Sequence, residues 1–263
     1  MCGRYYRKSD KQKIAEAFHA TKVDDFPLPP WDYNVAPTSM QPIIRQSRDT
    51  GERELVQLRW GLIPFFTKQL SDVKGISTIN ARAETVVKSP TYREPFKKRR
   101  CLVPASGFYE WKKLDAKNKQ PFAFDLANGK MLAFAGLWDA WKETPDAIEA
   151  RIQLAIDRFI VKGVIGAEFD EAMVMDMLDR EPKWVQSYTI ITTEANELMA
   201  QVHDRMPVIL HPRDFDRWLD REITDQPPID LLRPFPADEM EAFEVSKDVG
   251  NVRNNSPELL NSK

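Results

Sequence analysis

Short apolar runs, separated by polar and turn-forming residues, recur along most of this 263-residue chain. Many of these runs are rich in β-branched and aromatic residues, which is typical of strands. The pattern predicts strands in "MQPIIRQ", "ELVQLRWGLIP", "CLVPASGFYEW", "PFAFDL", "MLAFAGLW" and "SYTIITT". Successive strands with only occasional helices favour an α+β fold over a doubly wound one. We therefore expect a single α+β domain, residues 1–263, with a β-rich, barrel-like antiparallel core and peripheral helices.

Helical spacing occurs in three shorter segments. In "SDKQKIAEAF", Ile14 and Phe18 share one face, and Ser9 with Gln12 predicts a capping box. A second helix is predicted to begin near Thr193, with these residues along it: Leu198, Met199 and Val202. The third, "RDFDRWLDRE", places three residues on one apolar stripe: Phe215, Trp218 and Leu219.

A longer helical pattern interrupts the strands between residues 145 and 181. Thr144 is a candidate N-cap, and Pro145 suits the first helical position. Apolar residues then recur at helical spacing on both sides of Gly163 and Gly166. We interpret residues 145–181 as an inserted helical hairpin, which is either an additional packing layer or a binding site for an unknown partner.

Composition narrows the class of protein. The net charge is −2, from 38 basic and 40 acidic residues, so any nucleic-acid contact needs a local basic surface. Basic residues gather in "YREPFKKRR", residues 92–100, as either a solvated face or a ligand-binding surface. Two cysteines indicate a reducing compartment, and no apolar run is long enough for a membrane span. We expect a cytoplasmic monomer with no membrane partner.

The first five residues, "MCGRY", place a cysteine directly after the initiator methionine. Aminopeptidases generally remove methionine before a small second residue, which would leave Cys2 with a free α-amine beside its thiol. The ordinary pKa values of these groups are about 8 and about 8.5, so both retain a nucleophilic fraction at neutral pH. The alternative is an incidental cysteine in a frayed terminus.

Other chemical signals come from polar residues in apolar contexts. Asn80, Glu110 and His203 occur in "STINARAET", "SGFYEWKK" and "VHDRMPVIL". A carboxylate between Tyr109 and Trp111 suits proton transfer if it faces a desolvated site. Each of the three also has a structural alternative, as a turn, salt-bridged or capping residue. No phosphate loop, HExxH, GxSxG or paired CxxC motif occurs, so we expect neither metal nor cofactor.

Taken together, the motifs form an ordered set: "MCGRY", "YNVAPT", "RWGLIP", "INARAET", "CLVPASGFYEWKK", "GLWDAW", "TIITTEAN", "VHDRMPVIL" and "VGNVRNNSPEL". This set resembles the SRAP family, the SOS-response-associated peptidase-like proteins that shield abasic sites in single-stranded DNA. The resemblance extends from residue 2 to about residue 260, with the insertion as its main interruption. It implies an enzyme of the DNA damage response whose partner is single-stranded DNA containing abasic sites.

The resemblance also implies a mechanism and a set of site residues. The amine of Cys2 would form a Schiff base with the abasic aldehyde, and its thiol would close the imine to a thiazolidine. By motif position, Asn80 would orient the reacting groups, Glu110 would shuttle protons, and His203 would assist sugar opening. The residues matching DNA-binding positions of the family are Arg4, Asn34, Pro37, Phe65, Phe66, Arg82, Trp111, Thr192 and Arg205. Cys2 would be exposed by self-cleavage, a peptidase activity, or by a separate aminopeptidase.

Two other classes of protein share parts of this pattern. Class II glutamine amidotransferases also begin Met-Cys-Gly and use a cysteine nucleophile, but their arginine-glycine and Asn-Gly-Glu signatures are missing here. A noncatalytic DNA or protein adaptor could instead use the basic run. Crosslinking to abasic DNA, against ammonia release from glutamine, separates the three.

Overall fold

The structure is a computed structural model that describes residues 2–73, 78–161 and 179–261. Its strands are β1 Tyr5–Arg7, β2 Lys22–Val23, β3 Asp32–Val35, β4 Met40–Gln46, β5 Arg53–Trp60, β6 Asn80–Arg82, β7 Arg100–Ala105, β8 Gly107–Lys113, β9 Lys119–Leu126, β10 Leu132–Lys142, β11 Trp184–Glu194, β12 Arg205–Pro207 and β13 Met240–Glu244. The α-helices are α1 Lys11–Ala17, α2 Arg93–Lys98, α3 Pro145–Val161 and α4 Phe215–Leu219.

Five strands close into a barrel in the order β11-β10-β7-β4-β5. The ring closes where β5 pairs with β11, through Arg59 with Ser187 and Trp60 with Tyr188. Closure pairs both edges of the sheet, which removes the unpaired edges of an open sheet. A second sheet has the order β13-β9-β8-β1-β3. The predicted α+β class and barrel-like core are confirmed, but the core is not wholly antiparallel, because β11 runs parallel to β5 and β6.

Several large aromatic side chains belong to the buried core cluster that contains Cys2. Tyr5 packs on Trp60 and Phe134 with ring centroids 5.1 and 5.9 Å apart. Its hydroxyl pairs with that of Tyr188 at 2.8 Å, so the polar ends of two buried rings satisfy each other. This packing fixes the strand that leads out of Cys2.

The predicted strand "CLVPASGFYEW" is in fact two strands that belong to different sheets. β7 ends at Ala105 and β8 begins at Gly107. Between them, Ser106 donates its backbone N–H to the Tyr6 carbonyl and accepts from the Lys8 N–H. The first strand therefore interrupts the run by hydrogen bonding at Ser106, and β8 continues beside β1 in the second sheet.

The helix predictions had mixed outcomes. Ile14 and Phe18 are buried as expected, but the N-cap of α1 is Asp10 rather than Ser9, because the Asp10 carboxylate accepts from Lys13 N–H at 2.9 Å. The helix predicted to begin near Thr193 is wrong. Thr193 pairs with Met206 in the sheet, and only a short 3-10 turn follows at residues 199–201. The stripe predicted for α4 is buried.

The chain divides into two compact units, one formed by residues 1–62, 78–138 and 187–263, the other by residues 63–77 and 139–186. In the second unit, α3 begins at Pro145 as predicted, and Arg151 forms a bidentate ion pair with Glu143. The second half of the predicted hairpin, residues 162–178, lies outside the described residues, so the hairpin and the single-domain organisation stay predictions. No helix in the described ranges is long and apolar enough to cross a membrane.

Candidate functional site

Cys2 lies at the junction of the two sheets. Its side chain is fully buried, and its carbonyl accepts a hydrogen bond from Asn80 Nδ2 at 2.8 Å. Asn80 begins β6, whose parallel pairing with β11 places it beside Ile190. The other amide atom, Asn80 Oδ1, is buried with no hydrogen-bond partner among the described residues. A buried acceptor of this kind is suited to a donor supplied by a reacting group.

The surroundings of Cys2 keep its thiol protonated. Burial raises the pKa of the Cys2 thiol far above its usual range, and the nearby Glu110 carboxylate raises it further. A hydrogen bond from the backbone at Arg4 acts in the opposite direction but is weaker. The sequence-based expectation of an ordinary thiol pKa is therefore wrong for this environment, because it assumed a solvated side chain. Reaction through sulfur needs a proton acceptor close by.

Glu110 supplies a carboxylate from the middle of β8. It is buried, with only 4% of its surface exposed, and it pairs across the sheet with Phe122. The neighbouring Tyr109 N–H donates to the Arg4 carbonyl at 3.0 Å, which ties β8 to the segment after Cys2. The placement predicted from "FYEW" is thus found: a carboxylate in an apolar strand whose charge reaches the Cys2 sulfur.

His203 lies just before β12 and is partly exposed. Its Nδ1 accepts the Arg205 backbone N–H at 3.0 Å, which requires the neutral ring with its proton on Nε2. The Asp204 carboxylate also lies 2.9 Å from Nδ1. With its proton on Nε2, the ring can donate a hydrogen bond from that nitrogen.

Arg4 and Asn34 form a buried polar connection to the late part of the chain. The Arg4 guanidinium donates to Asn34 Oδ1 at 2.7 Å and to the Val249 carbonyl at 3.1 Å. Asn34 Nδ2 donates to the carbonyls of Val249, Asn251 and Asn254. Burial lowers the pKa of Arg4. Asn34 is therefore buried behind Arg4, and it positions that arginine.

Arg82 and Arg205 flank β11 at Thr192. β6 pairs Arg82 with Thr192, and the Arg205 guanidinium donates to the Thr192 carbonyl at 2.7 Å. Thr192 is fully buried, whereas Arg82 is exposed. Arg205 also forms a bidentate ion pair with Glu84, at 2.5 and 3.0 Å. The structure thus brings together, beside β11, two of the three arginines that match DNA-binding positions of the family.

The remaining predicted DNA contacts are spread over both units. Pro37 is half-buried in the turn after β3, and Trp111 packs against the Tyr6–Tyr109 cluster. Phe65 and Phe66 belong to the second unit, where they are 60% and 54% exposed and meet edge to face at 5.4 Å. Exposed aromatic rings of this kind can stack on bases.

Arg100, at the end of the basic run of residues 92–100, has a structural role. α2 covers residues 93–98, and Arg100 is buried. The Arg100 guanidinium donates to backbone carbonyls that include those of Phe96 and Trp218. Burial lowers the pKa of Arg100 to about 10. This arginine fixes the start of β7 and is removed from any binding surface.

Two residues near the site were missed by sequence reasoning. Tyr92 donates its hydroxyl to the Asn80 carbonyl at 3.2 Å, and Glu84 binds Arg205. No local pattern signals the role of Glu84, because it lies in the turn that follows β6 and its partner is 121 residues away in the chain. Among the described residues, no group of three or more His, Cys, Asp or Glu side chains could hold a metal ion.

The amino-acid sequence matches a known protein family. Residues 1–252 match the family described as SOS response associated peptidase (SRAP). The chain is 39% identical over 267 residues to the abasic site processing protein YoqW of Bacillus subtilis, covering all of both chains. It is 30% identical over 256 residues to the abasic site processing protein HMCES of Gallus gallus, covering 87% of this chain and 65% of that protein.

Two solved structures are similar to this one. A protein from Bacteroides thetaiotaomicron has a TM-score of 0.75 at 23% identity, and all of both chains is covered. A protein from Bordetella bronchiseptica has a TM-score of 0.68 at 27% identity, covering 93% of this chain and all of that one. The first similarity supports the fold alone.

Proposed function

Because this chain belongs to the SOS response associated peptidase (SRAP) family, we propose that it processes abasic sites in DNA by capturing them covalently through Cys2. The names of its relatives support the substrate, since both YoqW and HMCES are abasic site processing proteins. The observation that carries the proposal is the buried group around Cys2, with the Asn80 amide on its carbonyl and the Glu110 carboxylate acting on its thiol.

The proposed reaction needs Met1 to be removed, so that the Cys2 nitrogen becomes a free amine. This amine adds to the aldehyde of the ring-opened abasic sugar, and loss of water gives an imine. The Cys2 sulfur then adds to the imine carbon, while the thiol proton passes to the nitrogen, which closes a thiazolidine. Because both nucleophiles lie on one residue, the second step is intramolecular and has a large entropic advantage.

Three side chains have distinct roles in this proposal. The unsatisfied Asn80 Oδ1 accepts a hydrogen bond from the new Cys2 amine and orients it. Glu110 delivers a proton to the departing water and recovers one from the nitrogen as the imine forms, and it then relays the thiol proton to that nitrogen when sulfur attacks. His203, whose Nδ1 accepts the Arg205 N–H, donates a hydrogen bond from Nε2 to the sugar ring oxygen and polarises it for ring opening.

The proposed DNA contacts are of two kinds. Arg82 and Arg205, in the first unit, bind backbone phosphates, and Phe65 and Phe66, in the second unit, stack on unpaired bases. These contacts carry little sequence information, so the protein selects the lesion and the single-stranded form. The chain works as a monomer in the cytoplasm, with the 145–181 insertion as an addition to one SRAP domain.

The decisive experiment incubates the purified protein with single-stranded DNA that contains one abasic site and separates the products on a denaturing gel. The wild-type protein should begin at Cys2 and yield a heat-stable adduct. Cys2→Ala should yield none, because no thiol can close the imine. With borohydride present, Cys2→Ala should still be trapped, since its α-amine forms the imine. A heat-stable adduct of normal yield from Cys2→Ala would refute the thiazolidine.

Cys101→Ala is the matched control, because Cys101 is the other buried free thiol. This variant should retain the adduct, and its yield should equal that of the wild type once folding has been checked. Noncovalent retention of DNA by the wild type, with no adduct, would favour the adaptor alternative. Release of ammonia from glutamine would favour the amidotransferase alternative.

A further inference from the structure

Glu84 is an acidic residue in the middle of the proposed phosphate surface. Its carboxylate accepts from both terminal nitrogens of Arg205, at 2.5 and 3.0 Å. These hydrogen bonds hold the pKa of the Glu84 carboxyl below its usual range, and the charges of Arg205 and Arg82 lower it further. A carboxylate therefore lies within reach of both arginines that the proposed function assigns to phosphates.

The geometry of this pair is the one in which arginine binds phosphate. The guanidinium presents two parallel N–H groups to two oxygens, and carboxylates and phosphates accept this fork in the same way. Arg205 is itself held firmly, because its Nη2 also donates to the Thr192 carbonyl at 2.7 Å. A fixed fork with an anion on it is a preformed anion site.

We propose that Glu84 is an internal substitute for a DNA phosphate, which occupies the Arg205 fork and is displaced when a single strand binds. The inference deepens the proposed function and rests on it for the identity of the ligand. Glu84 is 51% exposed, whereas the Arg205 side chain is only 15% exposed. The carboxylate can therefore move out into solvent while the arginine stays in place.

The Glu84–Arg205 ion pair favours ligands that contact the protein at more than one point. With Glu84 in place, the charge of Arg205 is neutralised, so a phosphate that contacts only Arg205 gains little free energy by binding. A strand that also contacts Arg82 can displace the carboxylate, because exposed ion pairs are weak. Glu84 therefore lowers the affinity for all DNA and raises the selectivity for strands held at several points.

The test measures noncovalent binding of intact single-stranded DNA, which has no aldehyde, across a series of salt concentrations. Glu84→Gln should raise the affinity at low salt about fivefold, as expected for removal of an exposed ion pair. It should also steepen the slope of log K against log salt, because salt weakens the Glu84–Arg205 ion pair that only the wild type must break before it binds DNA. In an Arg205→Ala background, the gain from Glu84→Gln should be much smaller, because no arginine fork remains to be freed.

Asp230→Asn is the matched control, because Asp230 forms a bidentate pair with Arg217 at 2.6 Å through both oxygens. It removes the same charge and releases an arginine outside the proposed surface. An equal gain from Asp230→Asn would mean that net charge alone is responsible, and the inference would fail. Weaker binding by folded Glu84→Gln would show that Glu84 positions Arg205, which also overturns it.

Failure of the proposed function has a different signature. If wild-type protein forms no adduct with abasic DNA, yet Glu84→Gln strengthens binding of intact DNA, the phosphate site stands and the covalent reaction falls. If adducts form normally but Glu84→Gln leaves the affinity and the salt slope unchanged, only the substitution of phosphate by Glu84 is wrong. A lack of binding of intact DNA by both proteins also refutes the inference.

Discussion

At the residue scale, substitution of Glu110 distinguishes an effect on the reaction rate from an effect on DNA binding. Glu110→Gln retains the size of the side chain but cannot exchange a proton. Loss of general acid–base assistance typically slows a reaction about 10²–10⁴-fold. We expect adduct formation to slow within that range, while affinity for a stable abasic-sugar analogue changes little. The pH profile of the rate should also lose the limb that a carboxyl group produces.

Glu54→Gln is the corresponding control, because Glu54 is also a buried strand glutamate, 5% exposed, and is ion-paired with Arg45. This variant should lower stability and leave the rate of adduct formation unchanged. If Glu110→Gln instead reacts at the native rate and binds the analogue poorly, Glu110 is a positioning residue. His203 then becomes the first candidate for the proton transfer.

The proximity of the candidate site residues could be predicted from their motifs, but their hydrogen-bond partners could not. Cys2, Asn80 and Glu110 come together as expected, through contacts between distant parts of the chain. That Asn34 is buried behind Arg4 depends on carbonyls more than 200 residues away, which no local pattern reports. The high pKa of the Cys2 thiol arises in the same way, since burial is a property of the whole core.

At the element scale, a carboxylate on β9 makes the second sheet sensitive to pH. Asp125 accepts a hydrogen bond from the Tyr6 hydroxyl, opposite Gly107 of β8. Burial, and then the charge of Glu241, raise the pKa of Asp125 to about 7. Between about pH 4 and pH 7 the folded protein therefore retains a proton that the unfolded chain has released. The contribution of this group to stability is present at low pH and is lost as the pH rises.

We expect the free energy of unfolding to decrease as the pH rises from about 4 to about 7. The decrease should be about 1.4 kcal/mol for each unit by which the pKa of Asp125 is raised. Asp125→Asn should remove this fall, and Glu241→Gln should reduce it by relieving the second cause. Urea unfolding at pH 4, 5.5, 7 and 8 measures both effects. A fall of the same size in Asp125→Asn would assign the pH dependence to another group.

Strands were predicted well where their own residues determined them, and poorly where another strand intervened. β4 begins and ends where the alternation of "MQPIIRQ" predicted. β5 ends at Trp60, before the end of "ELVQLRWGLIP", because Gly61 has a positive φ of 109°. The break at Ser106 comes from β1, and the helix expected near Thr193 was displaced by pairing with β12. The last two misses share one physical cause, which is long-range strand pairing.

At the scale of the whole molecule, the second unit tests whether the insertion belongs to the site. Ala147 of α3 packs in a small cluster with Ile63 and Trp141, and Glu143 N–H donates to the Lys183 carbonyl at 3.0 Å. That hydrogen bond brings the two ends of the insertion together, so a short Gly/Ser linker from Thr144 to Pro182 can replace it. Residues 162–178 lie outside the described residues, so a helical hairpin over residues 145–181 remains a proposal.

We expect the deletion variant to form adducts at a rate within about threefold of the wild type, because surface additions are tolerated where few buried contacts are lost. Its melting temperature should fall, since the cluster that contains Ile63 and Trp141 loses Ala147. Circular dichroism and the denaturing gel together separate these effects. A folded variant that captures no abasic DNA would place the insertion within the working site.

The hydrogen bond from Arg4 to the Val249 carbonyl can form only after both residues have been synthesised. The two residues are 245 positions apart, and a ribosome adds about 5–20 residues per second, so on the order of 10–50 s separates their synthesis. During that interval Cys2 has already emerged, while the carbonyls that hold Asn34 and Arg4 do not yet exist. Until the segment around Val249 has been made, Arg4 and Asn34 lack the backbone acceptors that hold them in the folded chain. The part of the candidate site next to Cys2 can therefore reach its final arrangement only late in synthesis.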